Sequence, residues 1–128
     1  MVSPAGSEPD SPVRLLLVDD EPALLDLLKK YLERLGYEVD ARGSPQEALS
    51  AFEQDPRRYA LVLTDLTLPG ISGEQMLDRM RERNPQLRAI ISSGYPYQPR
   101  SVQTGFLLKP YAPKMLAELI KSLIGSNR

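Results

Sequence analysis

The chain has 128 residues, 41% hydrophobic and 26% charged, with 16 Lys and Arg against 17 Asp and Glu. That length suits one domain with one core, and a formal net charge of −1 argues against direct nucleic-acid or anionic-membrane binding, which needs a basic face. Cys and His are both absent, excluding disulfides, thiolate metal sites, Ser–His–Asp catalysis and a phosphohistidine carrier. Any chemistry must run on carboxylates, lysine, hydroxyls and a hard metal ion. No apolar run nears the ~20 residues of a membrane span, and the N-terminus lacks the basic and apolar regions of a signal peptide; a cytoplasmic protein is expected.

Residues 1–12, rich in Pro and Ser, read as a disordered linker or tail. Val13 to Val18 is a short apolar run, as in a buried parallel strand. From Glu21 to Leu35 the spacing is helical, with Leu24, Leu25, Leu28, Tyr31, Leu32 and Leu35 on one face; Pro22 suits the first turn and Gly36 the stop. Tyr37 to Ala41 reads as a second strand. Ser44-Pro45-Gln46-Glu47 reads as a capping box opening a helix to about Gln54, with Ala48, Leu49 and Phe52 inward. Tyr59 to Thr64 is a third, strongly apolar strand. Ser72 to Gln75 can cap a helix that runs to about Arg83, where Asn84-Pro85 breaks it. Arg88 to Ser92 and Gly105 to Leu108 are the fourth and fifth strands. Ala112 to Ile124 is a final helix with Met115, Leu116, Leu119, Ile120, Leu123 and Ile124 on its stripe, and residues 125–128 form a tail. Strands alternating with helices through short connections predict a parallel sheet covered on both faces, in the flavodoxin-like doubly wound order.

Ligands of such sheets sit at the carboxyl ends of the strands. The first strand ends in Asp19-Asp20-Glu21, the third in Asp65, the fourth in Ser92-Ser93 and the fifth in Lys109-Pro110. Clustered carboxylates repel, and a divalent cation among them relieves the repulsion. An all-oxygen ligand set selects a hard ion, and few protein ligands with retained waters favour Mg²⁺. A carboxylate beside such an ion can attack phosphorus and form an aspartyl phosphate, while the Lys109 ammonium neutralises charge on the transferring group and the Ser92 hydroxyl donates to one of its oxygens. Taken singly, each feature has a plainer reading: Asp19-Asp20 suits the positive end of a helix, Asp65 a strand terminator, Lys109 a surface lysine, and Ser93 a strand-end hydroxyl. Convergence on one edge favours the chemical reading.

The segments LLLVDDEPALL, LVLTDLTLPGISGEQ, IISSGY and FLLKPY, in this order and each at a strand end, resemble the response-regulator receiver domains of bacterial two-component signalling, over about 13–124. The resemblance implies that Asp65 is the phosphoacceptor, that Asp20 ligates Mg²⁺ directly and Asp19 largely through water, and that Thr67 offers the metal a backbone carbonyl. It implies that Ser92 is the switch hydroxyl, that Lys109 contacts the phosphoryl group, that Lys109-Pro110 is cis, and that Phe106 falls near the switch aromatic, although as a residue it reads as core. The implied partner is a histidine kinase or a histidine phosphotransfer protein. The implied role is a phosphorylation switch with slow self-dephosphorylation, not a turnover enzyme. IISSGY resembles the receivers of hybrid histidine kinases, and the Pro-rich start suits a receiver carried at the end of a larger kinase.

One stretch departs from the pattern. Receivers place a helix between the fourth and fifth strands, but Gly94 to Thr104 is short by at least about one helical turn, and Pro96 and Pro99 oppose helix. The fourth helix is therefore expected to be missing or reduced to a turn. Tyr95 and Tyr97 are expected to pack as loop residues, and Met76, Met80 and Met115 to lie in the core. A degenerate receiver that docks partners without phosphorylation is the alternative. A haloacid-dehalogenase-type phosphatase is disfavoured, because here the acidic pair precedes the nucleophile. A dinucleotide fold is disfavoured, because no Gly-x-Gly-x-x-Gly follows the first strand.

Overall fold

In the computed structural model, residues 12–125 are described; the expected N-terminal linker, apart from Pro12, and the tail beyond Gly125 lie outside them. The described residues form β1 (Arg14–Val18), α1 (Pro22–Arg34), β2 (Glu38–Arg42), α2 (Pro45–Gln54), β3 (Leu61–Asp65), α3 (Gly73–Arg83), β4 (Arg88–Ser93), β5 (Thr104–Leu108) and α4 (Pro113–Ile124). The strands make one sheet in the order β2-β1-β3-β4-β5, and every neighbouring pair is parallel. This is the flavodoxin-like order.

Side chains alternate across each strand, and the core divides accordingly. Leu16, Val18, Val62, Ala89 and Ile91 pack under α2 and α3 through Ala48, Phe52, Met76, Leu77 and Met80. Leu15, Leu17, Leu61, Leu63 and Ile90 pack under α1 and α4 through Leu28, Leu32, Leu116 and Ile120. Burial on both faces explains why β1, β3 and β4 read as continuous apolar runs. The edge strand β2 has one buried residue, Val39, and its polar positions carry a small network. Arg14 pairs with Asp40 at 3.1 Å, and Asp40 accepts from the hydroxyl of the buried Tyr59.

Local signals account for the helix starts. Pro22, Pro45 and Pro113 open α1, α2 and α4, where a missing N–H costs nothing. The Ser44 hydroxyl accepts from the Glu47 N–H at 3.2 Å. At Ser72 the box is closed both ways: its hydroxyl accepts from Gln75 N–H, and the Gln75 side chain accepts from Ser72 N–H. Gly36 has φ +101° just past α1, a conformation costly for any residue with a Cβ.

No helix spans β4 to β5; the segment from Gly94 to Gln103 crosses as an irregular strap. Four expectations fail. Tyr95 is 54% exposed on the strap instead of packed, and the Ser44 box closes one way only, through the Glu47 N–H. Met115 is 53% exposed, because it precedes Leu116 by one residue and so lies about 100° around the helix from the buried stripe. Leu35 is 50% exposed, because it is the C-cap of α1, outside the helix proper.

Candidate functional site

The carboxyl ends of β1, β3 and β5 bring Asp19, Asp20, Asp65 and Lys109 together. One carboxylate oxygen each from Asp19, Asp20 and Asp65 lie within 4.8 Å of one another. Lys109 Nζ stands 3.1 Å from Asp19 Oδ2 and 3.2 Å from Asp65 Oδ2, with Glu21 Oε1 at 4.0 Å. Asp19 is buried, Asp65 half-buried and Asp20 exposed. Burial acts to lower the Lys109 pKa, but its hydrogen bonds and Coulombic attraction to Asp19, and then to Asp65, outweigh burial and raise it. Lys109 therefore stays an ammonium across the physiological range, and it offsets part of the repulsion among the three acids.

Backbone bonds set this geometry. Asp19 Oδ1 accepts from Glu21 N–H at 3.0 Å, so one oxygen closes the turn into α1 while the other meets Lys109. Asp65 lies beside Ser92 in the β3–β4 register, and Leu66 N–H donates to Ser92 O at 2.8 Å. Lys109 N–H donates to Ser93 O at 2.8 Å, and the Lys109–Pro110 bond is cis, as the motif implied. Gly73 N–H donates to Leu66 O at 2.8 Å, which draws α3 against the end of β3. Ser92 is buried. Thr67 is exposed on the loop after β3, on the rim of a cleft of about 550 Å³ that also touches Tyr95, Tyr97 and Arg100.

A second cleft of about 420 Å³ opens beside Lys109, lined by Leu24, Leu27, Pro110 and Tyr111 among others. Burial is the main cause that pushes the Tyr111 phenol up to about 12; Lys109 opposes the shift, and Asp19 and Asp65 add to it. It remains a neutral wall of that cleft.

The ligand set fits a hard divalent ion. Three carboxylates converge with no nitrogen or sulfur donor among them, and the exposure of Asp20 leaves room for retained waters, as Mg²⁺ prefers.

This geometry has counterparts among known proteins. The family model for the response regulator receiver domain matches residues 15–121. The chain belongs to the response-regulator receiver family. It is 31% identical over 116 residues to the sensor kinase CckA of Brucella abortus, covering 86% of this chain and 12% of that kinase. Among solved structures it resembles the receiver domain of the hybrid histidine kinase CckA, with a TM-score of 0.79 and 32% identity over 87% of this chain and 98% of that one. It also resembles the response regulator TrrA of Thermotoga maritima, solved in complex with Mg²⁺ and BeF, with a TM-score of 0.75 and 31% identity over 87% of this chain and 98% of that one. The chain spans less than half the length of the curated relatives it matches. As a receiver it is a module of two-component signalling, and among its described residues no helix is long and apolar enough to cross a membrane.

Several participants around the site were not legible in the sequence. Glu21 joins the Lys109 environment through the turn after β1. Glu74 and Asp78 on α3 meet Tyr97 and Arg100 of the strap. At the opposite edge of the sheet, where β4 and β5 begin, the Arg81 guanidinium donates to Leu87 O and Thr104 Oγ1, each at 2.9 Å. No local spacing announces these contacts, because each joins segments from different elements.

Proposed function

We propose that Asp65 is the phosphoacceptor of this receiver and that the domain works as a Mg²⁺-dependent phosphorylation switch. The observation that carries the reading is the placement of Lys109 Nζ between Asp19 and Asp65 at 3.1 and 3.2 Å, beside the acidic trio. An Asp65 carboxylate oxygen attacks the phosphorus of a partner's phosphohistidine; the oxygen–phosphorus bond forms as the phosphorus–nitrogen bond breaks, and the imidazole leaves with the electron pair. Lys109 holds positive charge at the oxygens of the transferring group, and the Ser92 hydroxyl donates to one of them. Asp20 and Asp65, with Thr67 through its carbonyl and Asp19 largely through water, would hold Mg²⁺, which neutralises developing charge on the phosphoryl group. The cleft bordered by Leu24, Leu27 and Pro110 opens onto Lys109 beside this site.

The partner in this reading is a histidine kinase or a histidine phosphotransfer protein in the cytoplasm. The receiver occupies 13–124, with 1–12 and 125–128 as flanking linker and tail, and the family likeness to CckA supports a place within a hybrid histidine kinase. Transfer to Asp65 and its slow hydrolysis are single events of a switch, not turnover of a substrate pool.

The test is intact mass after incubation with acetyl phosphate, with and without Mg²⁺, on the wild type and Asp65→Asn. One Mg²⁺-dependent phosphoryl adduct that the variant lacks is expected. A wild type that binds Mg²⁺ yet gains no adduct would replace this reading with that of a docking module that works without phosphorylation.

A further inference from the structure

The strap between β4 and β5 is fastened to α3 by a set of polar contacts that lie apart from the acidic trio. The Tyr97 hydroxyl donates to Glu74, whose side chain is 7% exposed. Arg100 Nη2 donates to Asp78 Oδ2 at 2.7 Å, and Arg100 Nε lies 3.7 Å from the same Glu74 oxygen that Tyr97 reaches. The Tyr97 ring also packs on Phe106 of β5, with centroids 6.5 Å apart and planes tilted by 51°. Tyr97 and Arg100 therefore form a clamp where the sequence has too few residues for a helix.

The other end of the strap is tied to the candidate phosphorylation site. Tyr95 N–H donates to Ser93 Oγ at 3.1 Å, and Ser93 O accepts from the Lys109 backbone N–H at 2.8 Å. Lys109 in turn holds Asp65 Oδ2 through its ammonium. A phosphoryl group on Asp65 adds charge and three acceptor oxygens, which compete for Lys109 and for the Ser92 hydroxyl. Movement of either pulls on Ser93, where the strap begins, while the clamp holds the strap's far part against α3. The two tethers lie on one short segment, between Ser93 and Arg100.

Resting on the reading of Asp65 as phosphoacceptor, we infer that the Tyr97–Glu74 and Arg100–Asp78 contacts are a latch that holds the site in its unphosphorylated arrangement. Phosphorylation of Asp65 then releases the strap from α3. Tyr97 and Arg100 are positioning residues: they act on Asp65 through Ser93 and Lys109 and touch none of the reacting atoms. Coupling of this kind is reciprocal. If phosphorylation weakens the latch, weakening the latch favours phosphorylation, so the latch variants should gain where a merely structural contact would lose.

The experiment uses the full chain, Mg²⁺ and acetyl phosphate, and compares wild type with Tyr97→Phe and Arg100→Gln. Tyr97→Phe keeps the ring against Phe106 and removes the hydroxyl alone; Arg100 is largely exposed, so its replacement leaves the core intact. Steady-state adduct is read by intact mass over a range of donor concentrations, and hydrogen exchange is followed at residues 94–103. Expected are faster exchange there in phosphorylated wild type, and an increase of about two- to tenfold in the phosphorylated-to-free ratio for each variant, the range of one hydrogen bond's net worth. An adduct on wild type with unchanged strap exchange, or with variants whose ratio is unchanged or lower, overturns the latch and leaves the phosphoacceptor reading standing. No adduct on wild type overturns both.

Discussion

Gly73 offers the sharpest probe of how the fold holds Asp65. It is the first residue of α3, and its N–H donates to Leu66 O at 2.8 Å. A Cβ placed there would fall 2.3 Å from the Asp65 carbonyl oxygen and 3.0 Å from Thr64 Cγ2 and Oγ1. Carbon–oxygen contacts settle near 3.3 Å, so in Gly73→Ala α3 and the end of β3 must separate by about 1 Å. Replacing a helical glycine by alanine ordinarily stabilises by up to about 1 kcal/mol. Here the obstruction is backbone, which cannot rotate away, and overpacking costs roughly 2–3 kcal/mol. The steric cost wins, leaving a net loss of about 1–2 kcal/mol and a melting point lowered by roughly 4–10 °C. The same displacement moves the Asp65 carboxylate, and a misplacement of about 1 Å can slow a reaction about 100-fold. Urea unfolding and the rate of adduct formation from acetyl phosphate measure the two effects. Gly36→Ala is the control: φ is +101° with no atom within 4 Å of the added Cβ, so it costs about 1 kcal/mol of strain and leaves the rate alone. An alanine at 73 that changed neither stability nor rate would refute the claim that this glycine lets α3 seat against Asp65.

Other outcomes follow from the same contacts. Lys109→Met removes the cation between Asp19 and Asp65; adduct formation should slow by about 100-fold or more, while the rise in melting temperature on adding Mg²⁺ should grow, because the carboxylates lose their internal counter-charge. A variant phosphorylated at the wild-type rate would remove Lys109 from the chemistry. Burial, followed by the hydrogen bond to Asp40, pushes the Tyr59 phenol up to about 12. Its folded pKa lies above the ordinary 10.0, so this contribution is intact below pH 10 and is lost as pH rises through about 12. At Asp40 burial acts upward, but the hydrogen bond from Tyr59 and the charge of Arg14 prevail and lower the pKa. Its contribution is present above the ordinary 3.8 and is lost as pH falls through the depressed value. Tyr59→Phe should therefore flatten the alkaline limb of the stability profile and weaken the acid limb, as read by urea unfolding across pH; unaltered limbs would show that the pair is not coupled. Ser72→Ala should cost about 1 kcal/mol by opening the capping box of α3, checked in the same assay.

Much of this molecule is written in short-range pattern. Continuous apolar runs mark β1, β3 and β4 because those strands are buried on both faces, and Pro22, Pro45 and Pro113 mark helix starts through a missing N–H. The gathering of Asp19, Asp20, Asp65 and Lys109 was also legible, since a parallel sheet delivers all its strand ends to one edge, although Lys109 and Asp19 stand 90 positions apart and Lys109 and Asp65 stand 44 apart. The exposure of Met115 is not legible in the spacing, because its position beside the stripe of α4 depends on how the helix is rotated against the sheet.

Local pattern is enough to place the alternating strands and helices, the chemistry available at the strand ends, and the lack of room for a helix between β4 and β5. What replaces that helix emerges only when the chain is packed. Tyr97 and Arg100 find Glu74 and Asp78 across the gap between strap and α3, and Gly73 brings α3 against Asp65. The difference is one of range. Periodicity and caps are set by neighbours a few positions away, whereas these contacts join distant segments and exist only once the sheet has set the distance between them.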